Sequence, residues 1–382
     1  MDRRLSHCAI TPYGPDAGSS RVRVFEWLDR VGTEFTVSSY LSLPNAMPSR
    51  LARRPLALAR AELRLGAIAR ARPERLLLHR EASPLSRGRW ERRLLTSADL
   101  AVYDFDDALQ WDDGEDSLVR RLAPKAAKTR EALRHADRVI AGNAVLADWA
   151  SRSHDDVRVI PSCVCLEDYV QKSSYALHDP PRLGWIGSPH NEAHLTLIAD
   201  ALTEVHRRTG ARLTLVGTTR ASLGCLECLI DRIAWSPERQ RTALAAVDVG
   251  LMPLPATPYS LGKCGYKLLQ YAAAGLPAVA SPLGVNASLL REFGMPGPRT
   301  PDDWVTAILA LLEMPSGARR SLGCAARNTA GRRYSYDAWL PRWTAALELP
   351  EPRRRPIPAE AGDGRRQVRE PGKGASCTPS TP

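Results

Sequence analysis

The sequence predicts an α/β protein of two domains, each a mostly parallel sheet with helices on both faces, and three observations lead there. Short apolar runs of strand length alternate with helix-length periodic segments almost from end to end, the pattern of sheets joined by helical crossovers. The alternation lapses at IPSCVCLEDYVQKSSYALHDPP, residues 160–181, which is polar and bounded by prolines, and then begins again. A length of 382 residues, 44% apolar and 25% charged, suits two cores better than one.

In the first half the candidate strands are Cys8 to Thr11, Phe35 to Tyr40, Arg75 to His79, Leu100 to Phe105, Arg138 to Ala141 and Val157 to Ile160. Helices fill the gaps. The clearest follows the first strand, with Ser19 or Ser20 as N-cap, Val24, Leu28 and Val31 on one face and Gly32 as its stop. A loop, TPYGPDAGSS, precedes it. Arg50 to Arg80 is rich in arginine, with Leu56, Leu58, Leu63, Leu65 and Ile68 between. The arginines do not segregate cleanly on a helical wheel, so two readings stand, a helix lying on a membrane and a core helix with snorkelling arginines.

The second half reads RLGWIG as a strand, a helix from about Asn191 to Arg208, ARLTLVG as a strand, a helix near Pro237 to Ala246 and VDVGLMPL as a strand. KCGYKLLQYAAAG continues as a helix, PAVAS as a strand, and helices run on to Leu349. The expected domains are 1–170 and 171–349, with the last helix, 335–349, packing back on the first domain. Beyond Pro350 the chain is rich in proline and arginine and nearly free of large apolar residues, so a disordered basic tail is expected at 350–382.

Composition excludes several classes. No stretch approaches the roughly 18 apolar residues of a spanning helix, and the start, MDRRLSHCAITPYG, lacks the apolar core of a secretory signal, so a cytoplasmic location is expected. The 8 cysteines show none of the even spacing that staples small secreted folds. The pairs Cys163/Cys165 and Cys225/Cys228 lack a nearby histidine or a second CxxC, and no zinc is expected. The net charge of +11 is spread through arginines at many positions, which argues against a nucleic-acid footprint. A basic balance equally suits anionic diphosphates or an anionic membrane surface. GWIG is no dinucleotide fingerprint, because GxGxxG is missing.

The segment that carries the chemistry is PLPATPYSLGKCGYKLLQYAAAGLPAVASPLGVN, residues 253–286. Gly262 and Gly265 allow a tight turn where a helix starts, and the unpaired amides of that first turn, with the helix dipole, favour an anion. Lys263, Lys267 and Gln270 fall at i, i+4 and i+7, one face of a helix, so a diphosphate would meet the amides and lysines while the Gln270 amide reaches a ribose hydroxyl. Small residues in AAAGLPAVASPLG permit close packing of helix on strand and deliver Ser281 and Gly284 to a cleft edge.

This segment resembles the donor-binding motif of retaining GT-B glycosyltransferases of family 4 (glycosyl transferases group 1), whose members read similarly around KLLEYMAAGLPVVAS. The likeness extends to GWIGSP at 184–189, VDVGLMPLP at 247–255, VYDFDDAL at 102–109 and HADRVIAGNAVLADWA at 135–150, and covers roughly residues 5–345. It implies a GT-B fold, two Rossmann-like domains facing a central cleft, and retaining transfer from a nucleotide-sugar without a metal or other cofactor. By the same resemblance Tyr266, Lys267 and Leu268 meet the donor diphosphate, with Gly187 and Ser188 beside it. Gln270 and Gly262 stand where the family's two glutamates stand, and SPHNEAH replaces its arginine and lysine after the first C-terminal strand. The family's glycine loop corresponds to TPYGPDAGSSRVR, with Gly14 and Gly18 allowing close approach and Arg21 and Arg23 supplying charge. Asp106 falls nearest the place of a histidine that touches the donor sugar, and is the expected catalytic residue together with Lys267.

Asp104, Asp106 and Asp107 also make the Asp-x-Asp of single-domain GT-A enzymes, where carboxylates hold a divalent ion; the second α/β half and its lysine-flanked helix start favour GT-B. As ordinary structure the aspartates would cap a helix and pair with arginines. The acidic run continues through Asp112, Asp113, Glu115 and Asp116. As a negative wall of the cleft it would suit a cationic acceptor of the aminoglycoside or aminocyclitol type, as in antibiotic biosynthesis. Arg21, Arg80, Asp104, Asp107, Asp112 and Asp113 are the acceptor candidates. The expected reaction is transfer of N-acetylglucosamine or a related hexose from a UDP-sugar. A cell-envelope or lipid-linked glycan is the alternative acceptor, and an epimerase or a non-catalytic binder the alternative class.

Overall fold

The computed structural model describes residues 5–40, 53–111, 121–217, 222–234 and 236–350, all within one compact unit. The acidic run with Asp112 and Asp113, and the tail expected beyond Pro350, lie outside the described residues. The first sheet contains β1 (His7–Thr11), β2 (Thr36–Ser39), β3 (Arg75–His79), β4 (Leu100–Phe105), β5 (Arg138–Ala141) and β6 (Val157–Val159) in the order β2-β1-β3-β4-β5-β6. The second contains β7 (Arg182–Ile186), β8 (Arg212–Gly217), β9 (Ile230–Ala234), β10 (Val249–Met252) and β11 (Ala278–Ala280) in the order β11-β10-β7-β8-β9. Every pairing is parallel, and the interior strands are buried on both faces, which is why they read as continuous apolar runs rather than as alternations.

Between the strands of the first sheet come α1 (the helical residues 18–31), α2 (Pro55–Ala71), α3 (Arg89–Leu95), α4 (Lys125–His135) and α5 (Ala144–Ala150). The second sheet is covered by α6 (Ala199–Thr209), α7 (Pro237–Ala243), α8 (Pro258–Leu261), α9 (Tyr266–Ala273), α10 (Val285–Phe293), α11 (Pro301–Glu313) and α12 (Ser316–Tyr334). The last helix, α13 (Tyr336–Ala346), returns to the first sheet. There Trp343 stacks on Trp27 of α1 at 5.4 Å between ring centroids, and both share a core with Ala9, Leu77 and Val102. The chain therefore crosses between the sheets twice, and the two crossings touch, the Val164 amide donating to the Tyr334 carbonyl at 2.8 Å.

Register brings the carboxyl ends of the central strands level: Ile10 lies opposite Leu78, His79 opposite Asp104 and Phe105 opposite Ala141. Ligands of open α/β sheets bind outside that edge.

Three expectations are corrected. α1 begins at Gly18 after Ala17, so neither Ser19 nor Ser20 is its cap, and Arg21–Phe25 winds as a π-helix. Val22, Arg23 and Val24 are buried in succession along this wider turn. Gly32 does end the helix, at φ 68°. The helix expected from about Asn191 is a 3-10 stretch, Pro189–Ile198, before α6 begins. β9 is absent from the sequence reading because it is an edge strand whose Asp231 and Arg232 face water.

The π turn has a consequence for the sheet edge. It drives Arg23 fully under the surface, where its guanidinium bonds Asp104 (Nε at 3.2 Å, Nη2 at 2.5 Å) and the Ile160 carbonyl at 2.8 Å. His79 Nδ1 takes the remaining share of Asp104, at 2.7 Å. Burial alone would raise the Asp104 carboxyl, but Arg23 and His79 outweigh it and hold its pKa below the ordinary value.

Two outcomes are expected. Replacing Trp343 with alanine removes a fully buried indole and should cost about 3–5 kcal/mol, read as a loss of unfolding free energy in denaturant. Replacing Asp104 with asparagine leaves Arg23 charged and buried without its counter-ion, a cost of about 3–5 kcal/mol. In the native chain the Asp104 contribution is complete above the ordinary carboxylate range and is lost as pH falls through the depressed folded pKa, so the Asp104→Asn variant should show a smaller stability loss on acidification than the parent.

Candidate active site

The site is built where α9 starts. Gly265 stands before it at φ 67°, and a Cβ there would lie 2.5 Å from Leu289 Cδ1, so backbone and packing both demand glycine. The first amides of α9, at Tyr266 and Lys267, have no carbonyl a turn behind them. Gly187, just beyond β7, meets this helix: a Cβ on it would fall 2.8 Å from Lys267 Cε and 2.7 Å from Trp185 Cη2. Lys267 Nζ sits 5.2 Å from the centre of the Trp185 ring. Burial, with the like charge of Lys263 added and Asp107 opposing, lowers the Lys267 pKa from 10.5 to about 7.

Lys263 lies in the turn between α8 and α9, outside the helix, with Nζ 4.9 Å from the Tyr259 ring centre. The expected i, i+4, i+7 face is therefore corrected to a turn cation and a first-turn cation that meet through space. Gln270 is corrected as well. Its side chain points inward and donates to Tyr169 Oη at 2.9 Å, because the second turn of α9 is buried all round. Leu268 is core, so its side chain cannot meet a phosphate. Tyr169 also bonds Tyr266, and Arg21 of α1 reaches the same pair of phenols. Burial of Arg21 is outweighed by these neighbours and Glu26, which raise its pKa. Ser188 is exposed and accepts from Asn191 Nδ2 at 2.9 Å.

Opposite α9 stands the carboxyl edge of the first sheet. Arg80, at φ 61°, grips Asp106 through Nε at 2.6 Å and Asp107 through Nη2 at 2.5 Å. Its pKa rises well above the ordinary value despite burial, and the Asp106 carboxyl is held low by Arg80 and His79 against the same burial. His79 Nε2 is buried without a hydrogen-bond partner, 4.0 Å from Asp106 Oδ1. Asp104 is corrected from acceptor candidate to buried counter-ion, since Arg23 and His79 occupy its carboxylate. Tyr13, Arg80, Glu81, Leu109, Lys125 and Thr129 line a small cavity beside the acid pair. Gly14 is buried in the loop turn closed by the Ala17 amide at 3.1 Å, whereas open space surrounds the α-carbon of Gly18.

The two sides approach most closely where the turn before α9 meets the first sheet. Asn143, whose Oδ1 caps α5 on the Leu146 amide at 3.0 Å, donates through Nδ2 to the Gly262 carbonyl at 2.9 Å. Cys264 Sγ donates to the Asp106 carbonyl at 3.1 Å. A Cβ on Gly262 would lie 2.5 Å from Ala108 Cβ, and one on Gly142 would lie 2.5 Å from Cys264 Sγ. Gly262 has φ −84°, so its role is close approach rather than a strained turn, and in this arrangement no glutamate fits its place. Sequence reasoning passed over Asn143, Trp185, Tyr169 and Cys264. Asn143 before an apolar helix is a legible cap; its second bond, across the seam, is not. Among the described residues no group of three or more histidines, cysteines or acids is arranged to hold a metal ion.

Residues 180–314 match the family model described as Glycosyl transferases group 1. No curated protein matches the chain in sequence. In fold it is similar to sucrose-phosphate synthase from Thermosynechococcus elongatus, at 14% identity and a TM-score of 0.64 over 90% of this chain and 98% of that one. It is also similar to WaaG, a glycosyltransferase involved in lipopolysaccharide biosynthesis, at 15% identity and a TM-score of 0.61 over 90% and 99%. Anabaena HepE, solved in complex with UDP-glucose, matches at 13% identity and a TM-score of 0.62 over 90% and 99%. Two parallel sheets, a lysine-flanked helix start between them and the family match across the second sheet lead to one conclusion: the chain has the fold of the GT-B glycosyltransferases, with a glycosyl transferases group 1 domain at residues 180–314.

Proposed function

We propose that the chain transfers a hexosyl or N-acetylhexosaminyl group from a UDP-sugar, UDP-N-acetylglucosamine foremost, to an acceptor hydroxyl with retention of configuration and without a metal ion. The observation that carries this reading is the first turn of α9, where free amides, Lys267 over Trp185 and Lys263 converge beside Gly187. As the bond between the sugar C1 and the diphosphate oxygen breaks, negative charge grows on the departing diphosphate, and these groups are placed to stabilise it. That is the work a divalent ion performs in other transferases. The UDP donor is supported by the complex of Anabaena HepE with UDP-glucose, and retention by the family-4 motif of residues 253–286.

On the other side, Asp106 and Asp107 are acids fixed by Arg80, and we assign Asp106 the orientation of a donor or acceptor hydroxyl. Closure of the seam over the reactants would exclude water and limit donor hydrolysis. The cationic-acceptor reading stands on Asp112 and Asp113, outside the described residues, so the acceptor panel must span aminoglycosides and lipid-linked glycans alike.

Mass spectrometry of products from a UDP-sugar panel, with and without chelator, tests the reading. Glycosylated product that persists in chelator is expected; epimerised donor formed without acceptor, or tight UDP-sugar binding with no turnover, would replace it with an epimerase or a binding protein. Lys267→Ala should lower kcat/KM by about 3–4 kcal/mol, roughly two to three powers of ten, and near-parental turnover would overturn the assignment.

The Lys267 pKa supplies a second test. A bound diphosphate favours the ammonium, raising its pKa above the value of about 7 in the free protein. UDP-glucose affinity should therefore be highest below that value and fall as pH rises through it, by up to about tenfold per unit, with proton uptake on binding in calorimetry at alkaline pH. A dissociation constant that stays flat with pH, with no proton uptake, would place Lys267 away from the diphosphate.

A further inference from the structure

One buried group beside the acids has no work in the transfer described so far. His79, at the end of β3, is fully buried, and Asp104 fixes its tautomer. The Asp104 carboxylate, paired with Arg23, can only accept, so the ring Nδ1 donates to it at 2.7 Å. In the neutral ring Nε2 then carries a bare lone pair. It makes no hydrogen bond, and Asp106 Oδ1 lies 4.0 Å from it. A histidine kept for packing alone would leave an acceptor buried and unpaired, a cost to stability that an apolar residue avoids. Asp106 stands between this nitrogen and the crevice. Its side chain is 11% exposed whereas that of His79 has no exposed surface, so a substrate hydroxyl can touch the acid but not the ring. Arg80 bonds Asp106 Oδ1 through Nε at 2.6 Å, and Oδ2 makes no hydrogen bond among the described residues. The neighbouring titratable groups are Asp107, on Nη2 of Arg80, and Cys264, whose thiol donates to the Asp106 carbonyl. Two guanidinium groups, those of Arg23 and Arg80, thus face three carboxylates. The cluster favours one more positive charge, and His79 Nε2 is a basic atom placed to carry it.

We propose that Asp106 and His79 form a proton relay for the acceptor hydroxyl, with His79 a positioning residue that acts through Asp106. As the acceptor oxygen bonds to the sugar C1, the C1 bond to the diphosphate oxygen breaks and its electron pair leaves with the diphosphate. The hydroxyl proton passes to Asp106 Oδ2. The neutral acid is held less tightly by Arg80, and a turn of the carboxyl group brings the proton to His79 Nε2, downhill because an imidazole is ordinarily the stronger base. The imidazolium then lies between the carboxylates of Asp104 and Asp106, and it returns the proton to water once the products leave. Catalytic hydrogen bonds of ligand-free enzymes are often long and tighten with substrate, and a shift of about 1 Å closes the 4.0 Å gap to a hydrogen bond. The relay rests on the transfer reaction proposed above.

Nitrogen NMR of the full chain, labelled at histidine and held at mildly alkaline pH, reads the resting ring, the His79 signals being identified by their loss in His79→Asn. The proton is expected on Nδ1 and absent from Nε2; a proton on Nε2 would overturn the relay whether or not any variant folds. UDP release from UDP-glucose, with water or the acceptor panel taking the sugar, then reads turnover. In His79→Asn the amide nitrogen takes the place of Nδ1 and still donates to Asp104, while Nε2 is gone. There kcat should fall by about a hundredfold, with the UDP dissociation constant and melting temperature near parental. Asp106→Asn should be at least as slow, and the double variant no slower than Asp106→Asn alone, since the two residues act as one unit. Parental kcat in His79→Asn, losses that multiply in the double variant, or a matching loss of UDP affinity would each overturn the relay. Lys267→Ala separates the two readings. If it turns over like the parent, or the parent releases no UDP, the transfer site itself falls and the relay with it; if it is slow while His79→Asn is not, the relay alone falls.

Discussion

The structure depends on one close approach, the backbone turn at 262–264 laid against the carboxyl edge of the first sheet. It is possible because Gly262 and Gly142 have no side chain where Ala108 and Cys264 press in. Asn143 then uses both ends of its amide, capping its own helix with the oxygen and fastening the turn of the other half with the nitrogen. Everything on the positive side of the crevice is set by that turn: it fixes where α9 begins, which amides are left open and how far Lys263 and Lys267 stand from Asp107. The acidic side is set by two arginines, Arg23, which is buried on Asp104 beside His79, and Arg80, which holds Asp106 and Asp107.

The charge arrangement is asymmetric, and the asymmetry fits the chemistry. Asp104 is held by Arg23, and Asp106 and Asp107 share Arg80, so two guanidinium groups offset much of the charge of three carboxylates before any ligand arrives. Among the described residues Lys267 has a ring face, a like charge and the Asp107 carboxylate for company, and burial lowers its pKa. An incoming anion meets a group that gains from its arrival, whereas a cation meets acids whose interactions are already made.

Much of this was legible in the residues. Cys8 to Thr11, Arg75 to His79 and Leu100 to Phe105 were readable as strands because burial on both faces leaves uninterrupted apolar runs, and the glycines and lysines of 262–267 marked the helix start. What escaped was whatever depends on a partner distant in the chain. Nothing in RVRVF announces a π turn, and the partner its Arg23 meets, Asp104, lies 81 residues on. Gln270 was misread since helical spacing puts it in line with the lysines only if Lys263 belongs to the helix, and the helix starts three residues later. The Gly262 side of the seam was equally hidden: a glycine with ordinary φ carries no local sign that another segment rests upon it.

The two places where the chain passes between the sheets are bonded to each other, Val164 to Tyr334, and the stacked indoles of Trp27 and Trp343 anchor the second passage to the first sheet. Paired crossings of this kind act as a single pivot, restricting one half to swing about the other along a short arc rather than tumble. Opening the mouth where Cys264 and Asn143 meet their partners would part those polar bonds and lift Tyr259 and Cys264 from the edge of the first core, a local rearrangement that leaves the rest of either interior in place.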